Sequence, residues 1–208
     1  MTTGCNSKDK SLNTPKAPFV SENTLRQLEE IEDSITWVPF LLNFPSIPDT
    51  NNPNLGYTYT DSGQGGGSQV KHLKGDSLKA QTHCFNFKLN QFKYAYYPFV
   101  GWGQDLPLHF SSIKGRFKYL SYSYKGALHS FMPRLSSVKD YGNFQGVAPS
   151  TSQWTQVVSK LDQTAQPTFA QKVTWEAKKL YALDWFIQGS DGEVGDLCIS
   201  NIKFGYFN

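Results

Sequence analysis

The 208-residue chain has no long hydrophobic run and no concentrated charge. No stretch of about 18 apolar residues occurs, so the sequence predicts no transmembrane helix. The formal net charge is only +3, and the basic residues are spread along the chain. Because no basic run is long enough to follow a phosphate backbone, we expect no nucleic-acid partner.

Cysteine and histidine are scarce. The chain has three Cys and four His, and none of them shows the spacing of metal ligands, so we expect no metal ion or other cofactor. Cys84 and Cys198 both lie in strand-like segments. They are either buried thiols or a disulfide in an oxidising compartment, and the sequence leaves that choice open.

Catalytic patterns are also missing. Sandwich-fold glycosidases need two carboxylates facing each other across a cleft, yet Glu176 and Glu193 are the only glutamates after position 37. There is no G-x-S-x-G sequence for a serine nucleophile. The Gly63–Gly67 segment lacks the lysine and the following helix of a phosphate-binding loop. The sequence therefore predicts that the chain is not an enzyme.

Aromatic residues are abundant and favour strands. They form 15% of the chain, and turn residues separate short apolar runs. This pattern predicts an all-β fold, an antiparallel β-sandwich of jelly-roll type, over residues 38–208. The predicted strands cover 56–61, 67–73, 82–89, 93–104, 116–125, 127–135, 154–159, 180–188 and 196–206.

Residues 1–37 are predicted to form a flexible tether. Leu25, Leu28 and Ile31 have helical spacing, which predicts a short amphipathic helix within 22–35. The first seven residues resemble the end of a bacterial lipoprotein signal. Lipidation of Cys5 would then anchor the protein to a membrane, at the cell surface or in the periplasm. The alternative is an ordinary N-terminal segment.

The segment Gly56–Ser68 alternates aromatic and small polar residues before a glycine-rich turn. Alternation puts Tyr57 and Tyr59 on one face of a strand and Thr58 and Thr60 on the other. Such rings either pack into a core or form a flat surface that suits the apolar face of a sugar ring. The segment by itself favours neither.

Several segments in order resemble the family 11 carbohydrate-binding modules and, more broadly, the galactose-binding-like jelly rolls. Together they span residues 38–208. The matching segments are Leu55–Val70, Tyr97–Gly103, Leu120–Gly126, Ser152–Val157, Leu183–Trp185 and Gly195–Ile202.

The resemblance implies non-catalytic binding of a β-glucan-like polysaccharide or oligosaccharide on a concave sheet face, outside the cytoplasm. Eight residues are implied as ligand-binding. They are the platform rings Tyr59 and Phe99, their same-face neighbours Tyr57 and Tyr97, the hydrogen-bonding residues His129 and Arg134, and the rim residues Asp140 and Tyr141.

Two departures from the family pattern bear on the expected ligand and cofactor. The family's calcium site uses acidic residues, but here Leu42–Pro45 has none and Ser200 stands in the closing motif, which disfavours calcium. The basic clamp before Gln166-Pro167 is reduced to Lys160. The alternative function is a protein-interaction or assembly domain of the same jelly-roll class, akin to the complex I intermediate-associated proteins.

Overall fold

The computed structural model describes residues 34–42, 56–73, 82–90 and 97–207. Within these ranges it contains strands and short 3-10 turns, and no α-helix. The strands are β1 (Ile35–Pro39), β2 (Gly56–Thr60), β3 (Gln69–Leu73), β4 (His83–Lys88), β5 (Phe99–Asp105), β6 (Tyr119–Gly126), β7 (His129–Leu135), β8 (Gly146–Ala148), β9 (Thr151–Lys160), β10 (Leu180–Gln188) and β11 (Val194–Phe207).

The strands form two antiparallel sheets. The six-stranded sheet has the order β3-β4-β11-β6-β9, and β1 also pairs with β11. The 14-residue β11 is long enough to pair with β4 along its first half and with β1 along its second half. The five-stranded sheet has the order β2-β5-β10-β7-β8. This architecture confirms the predicted all-β antiparallel sandwich.

The core lies between the sheets and is largely aromatic. Trp102 of β5 and Trp185 of β10 are direct partners in the antiparallel register of one sheet, and both are fully buried. Phe85 of β4, in the other sheet, stacks on Trp102 with ring centroids 4.2 Å apart. Such pairs contribute about 0.5–1.5 kcal/mol beyond the area they bury. These contacts join the inner faces of the two sheets.

The structure corrects the predicted start of the folded domain. Ile35 pairs with Phe207 across β1 and β11, so the sheet begins inside the predicted tether 1–37. Residues 22–33 of the predicted helix lie outside the described residues, and its last position, Ile35, is in a strand.

Cys84 and Cys198 form a disulfide between β4 and β11. The two residues are direct partners in the antiparallel register, which brings their side chains together. No group of three or more His, Cys, Asp or Glu side chains suited to a metal ion is found in the described ranges. No helix in that part of the chain is long and apolar enough to cross a membrane.

Candidate functional site

The candidate site is the face of the five-stranded sheet turned away from the core, called here the outer face. Strand alternation creates it: in β5, Val100 and Trp102 point into the core, and the residues between them point outward. The register of β2, β5, β10, β7 and β8 then aligns outward residues in rows. They are Tyr57, Tyr59, Phe99, Gly101, Gly103, Asp105, Ala182, Asp184, Phe186, Ser130, Met132, Arg134 and Val147.

Two glycines of β5 make room for the side chains of neighbouring strands. A Cβ atom at Gly101 would lie 2.2 Å from Cζ of Tyr59, and one at Gly103 would lie 2.2 Å from Oδ1 of Asp184. The Tyr59 ring therefore lies directly on the backbone of β5. The Tyr57 ring lies next to it on the same face of β2, with the two ring centroids 6.3 Å apart.

A charged pair lies beside the tyrosines. The Tyr57 hydroxyl donates a 2.7 Å hydrogen bond to Oδ1 of Asp184. Arg134 Nη1 lies 3.4 Å from Oδ2 of the same carboxylate, and its guanidinium stands over the ring of Tyr181 at 5.3 Å. Rings, an acid and a base from three strands thus form one contiguous cluster.

Burial sets the electrostatics of this cluster. Asp184 is only 1% exposed, and burial raises the pKa of its carboxyl to about 6, while Arg134 and the Tyr57 hydrogen bond limit the rise. Burial and the nearby carboxylate also raise the pKa of Tyr57 and of Tyr59. Both tyrosines are therefore neutral hydrogen-bonding groups at physiological pH.

The next part of the outer face is apolar and more open. The rings of Phe99 and Phe186 are 5.3 Å apart and tilted by 36°, and both are partly exposed. Phe186 lies in the same row as Ser130 and Val147, and Val147 is 46% exposed. The outer face thus combines partly exposed apolar rings with hydrogen-bonding groups.

Four of the residues implied by the family resemblance share this face: Tyr57, Tyr59, Phe99 and Arg134. Tyr97 is exposed and lies two residues before β5 begins.

His129 does not lie on the outer face, so its expected contact with a sugar hydroxyl is wrong for this structure. It is fully buried on the core side of β7, where its ring pairs with the Tyr122 hydroxyl and the Ala127 carbonyl. Burial lowers its pKa to about 4. A neutral, enclosed imidazole with both nitrogens engaged has no group left to offer a ligand.

Asp140 and Tyr141 lie on the loop between β7 and β8 and are not on the sheet. The Asp140 carboxylate accepts hydrogen bonds from the backbone N–H groups of Gly142 and Gln171, so it joins two loops. These bonds lower its pKa. Tyr141 is 86% exposed and has a φ of 62°. Both residues therefore lie on a loop that follows β7, and backbone N–H groups engage the Asp140 carboxylate.

Sequence reasoning missed Asp184, Phe186, Met132 and Tyr181. In β10 the alternation of Asp184 and Phe186 with buried Trp185 and Ile187 is visible in the sequence. That alternation identifies an outward face, but it does not show which strands lie beside β10. Only the register with β5 and β7 brings Asp184 to Tyr57 and Arg134.

A curated protein is similar in sequence to much of the chain. No protein-family model matches the chain. Endoglucanase 3 of Fibrobacter succinogenes is 26% identical over 158 residues, which cover 70% of this chain and 24% of the relative. The chain therefore spans about a quarter of the length of the curated relative that it matches.

Solved structures resemble the whole sandwich. A family 11 carbohydrate-binding module from Clostridium thermocellum, in complex with a β-1,3-1,4-mixed-linked tetrasaccharide, matches with a TM-score of 0.52 and 14% identity. The match covers 76% of this chain and 92% of that chain. The chain has the fold of a carbohydrate-binding module.

Two further structures support the same fold. The family 11 module of the cellulosomal cellulase Lic26A-Cel5E of Clostridium thermocellum has a TM-score of 0.52 at 13% identity, covering 80% of this chain and 94% of that one. A CBM4 structure has a TM-score of 0.50 at 12% identity, covering 77% and 92%. The resemblance to family 11 modules inferred from the sequence segments is thus confirmed at the level of fold.

Proposed function

We propose that the chain binds a polysaccharide or oligosaccharide of the β-glucan class on the outer face of the five-stranded sheet, without catalysing a reaction. The observation that carries the proposal is the joint position of Tyr59, Phe99 and Phe186 beside the Asp184–Arg134 pair. A sugar ring has apolar C–H faces and a rim of hydroxyls. The partly exposed rings suit the apolar faces, and the guanidinium of Arg134, whose side chain is 28% exposed, suits the hydroxyls.

The ligand class is supported by the proteins that the chain resembles. The Clostridium module was solved with a β-1,3-1,4-mixed-linked tetrasaccharide, and the Fibrobacter relative is an endoglucanase. Each well-placed ring contributes about 1–2 kcal/mol through apolar contact. Two such rings with peripheral hydrogen bonds give a Kd on the order of tens of micromolar or weaker.

The carboxylates of the outer face support binding without catalysis. Among the described residues of that face the acids are Asp105 and Asp184. Asp184 is buried, and its two oxygens face Tyr57 and Arg134. A glycosidase needs one acid to donate a proton to the scissile bond and a second to act as base or nucleophile. An enclosed carboxylate in this position cannot reach the bond of a sugar lying on the sheet. No resident cofactor is part of the proposal.

The proposal also places the protein outside the cytoplasm of a bacterium. The Cys84–Cys198 disulfide supports an oxidising compartment. Lipidation of Cys5, with residues 1–33 as the tether, would present the binding face at a cell surface or in the periplasm. Cys5 lies outside the described residues.

Affinity gel electrophoresis tests the proposal. The wild-type protein is run through gels that contain mixed-linkage β-glucan, xyloglucan, glucomannan or no polysaccharide. We expect retardation by at least one glycan, which the Phe99→Ala and Phe186→Ala variants lose in large part.

Trp154→Ala is the matched control, because Trp154 is a half-exposed aromatic residue on β9 of the other sheet. It should migrate like the wild type. If no glycan retards the wild type, or if Trp154→Ala alone loses retardation, glycan binding at this face is refuted.

A further inference from the structure

Asp184 is a buried acid on a face that is otherwise partly open. Its neighbours along β10, Trp185 and Leu183, are buried because they point into the core. Asp184 points the other way and is nevertheless 1% exposed, because the side chains of Tyr57 and Arg134 enclose it. The enclosure therefore depends on side chains of the binding face, which lie on two other strands.

The cluster is not arranged for maximal stability. Nε of Arg134 is buried and has no hydrogen-bond partner in the described part of the chain, whereas the buried Tyr59 hydroxyl lies beside the Asp184 carboxylate, which helps to raise the pKa of this tyrosine. A buried polar atom without a partner reduces the stability of the folded protein. The charge on Asp184 is also unfavourable where it lies, since burial raises the pKa of this carboxyl to about 6 from its ordinary 3.8. The cluster thus holds two polar features that each reduce stability.

We propose that Asp184 is a positioning residue of the binding face: its carboxylate holds the Tyr57 hydroxyl and the Arg134 guanidinium in place, and the Tyr57 ring in turn supports Tyr59 on Gly101. The expected effect on glycan affinity rests on the proposed function. The anchoring of the tyrosine rings by Asp184 does not depend on any ligand.

The groups that face Asp184 come from every strand around it. They are Tyr57 and Tyr59 of β2, Asp105 of β5, Arg134 of β7 and Tyr181 of β10. The three tyrosines have pKa values raised above the ordinary value for tyrosine, so they stay neutral, and Arg134 stays charged. The second group that can change charge on acidification is Asp105, whose pKa is also raised by burial.

Removing the charge of Asp184 either raises or lowers the stability of the folded protein. The direction of that change distinguishes a positioning role of Asp184 from a purely structural one. Because the folded-state pKa of Asp184 is raised, the folded protein binds a proton more readily than the unfolded chain. The stability that this group contributes is therefore greatest at low pH and falls as the pH rises through about 6. A neutral asparagine mimics the protonated acid, so it removes the unfavourable charge. A structural salt bridge would give the opposite result, a loss of stability when the charge is removed.

The test uses Asp184→Asn, with Asp105→Asn as the matched control on the neighbouring strand. Three quantities are measured: the thermal midpoint at pH 7, the NMR ring resonances of Tyr57 and Tyr59 between pH 4 and 8 without glycan, and the Kd for a glycan that the wild type binds. We expect Asp184→Asn to keep or raise the midpoint and to weaken glycan binding about tenfold. The ring resonances should shift with a midpoint near pH 6 in the wild type and should not shift in Asp184→Asn. In Asp105→Asn the shift should persist with a lower midpoint, because this variant loses the repulsion between the two carboxylates.

Two outcomes overturn the inference. One is a lowered thermal midpoint in Asp184→Asn with unchanged tyrosine resonances, which indicates a structural salt bridge. The other is a ring titration that persists in Asp184→Asn and disappears in Asp105→Asn. If the wild type binds no glycan, the proposed function fails, but the ring titration in the free protein still decides whether Asp184 positions the tyrosines.

Discussion

Replacing Gly101 with alanine tests how Tyr59 is held on the sheet. The new Cβ would lie 2.2 Å from Cζ, 2.5 Å from Oη and 2.6 Å from Cε2 of Tyr59, whereas real Cβ contacts are essentially never under 3.0 Å. The ring must therefore lift away from β5. Because Tyr59 is anchored through its own strand, lifting the ring also disturbs its contact with Tyr57.

The expected cost follows from two opposing effects. Overpacking of this kind costs about 1–3 kcal/mol. Alanine in a strand interior regains about 0.5–1 kcal/mol relative to glycine. The net loss of unfolding free energy is then about 0–2.5 kcal/mol, which lowers the thermal midpoint by up to about 10 °C for a protein of this size. Loss of one ring as a platform should weaken glycan binding by about tenfold.

Differential scanning calorimetry and affinity gel electrophoresis on the same preparations measure both effects. Gly63→Ala is the matched control, because a Cβ there meets nothing within 4 Å and the residue lies just after β2. It should leave both quantities unchanged. If Gly101→Ala is as stable as the wild type and is retarded equally by glycan, the Tyr59 ring does not pack against Gly101 and does not contribute to binding.

Two further predictions concern the stability of the sandwich. His129 has a folded-state pKa of about 4 against an ordinary 6.5, so the stability it contributes is complete above pH 6.5 and is lost as the pH falls toward 4, by up to about 3 kcal/mol. Urea unfolding at several pH values should show this slope, and an identical slope in His129→Gln would contradict it. The disulfide spans 114 residues, so its removal in a Cys84→Ser, Cys198→Ser double variant should cost about 4–5 kcal/mol. A change in urea unfolding free energy below about 1 kcal/mol would contradict that loop-closure estimate.

Strands with a clear pattern could be predicted from the sequence. The sequence predicts β10 as 180–188, and the structure has it as Leu180–Gln188, since a largely buried hydrophobic run ends shortly before the turn at Asp191 and Gly192. β8 was missed because a three-residue strand is too short to show alternation. β5 begins at Phe99, after the predicted start of 93–104, and directly follows Pro98. Proline cannot donate a ladder hydrogen bond, which makes it a natural strand boundary.

Site residues could be predicted from the sequence only where the alternation within a single strand shows which side chains share a face. Tyr57 and Tyr59 follow from alternation within β2. The prediction for His129 failed on the same principle: it is five positions from Arg134 in one strand, and an odd separation puts the two on opposite faces. The Asp184 cluster could not be predicted, because its partners Tyr57 and Arg134 are 127 and 50 positions away.

The most direct test of glycan binding at the outer face is a titration of isotope-labelled protein with a β-1,3-1,4-mixed-linked tetrasaccharide, followed by NMR. Perturbed resonances should cluster on Tyr57, Tyr59, Phe99, Arg134 and Phe186, with saturation at a Kd on the order of tens of micromolar or weaker. Perturbations confined to β9 and β11 of the other sheet, or no perturbation with any β-glucan oligosaccharide, would contradict the proposed site.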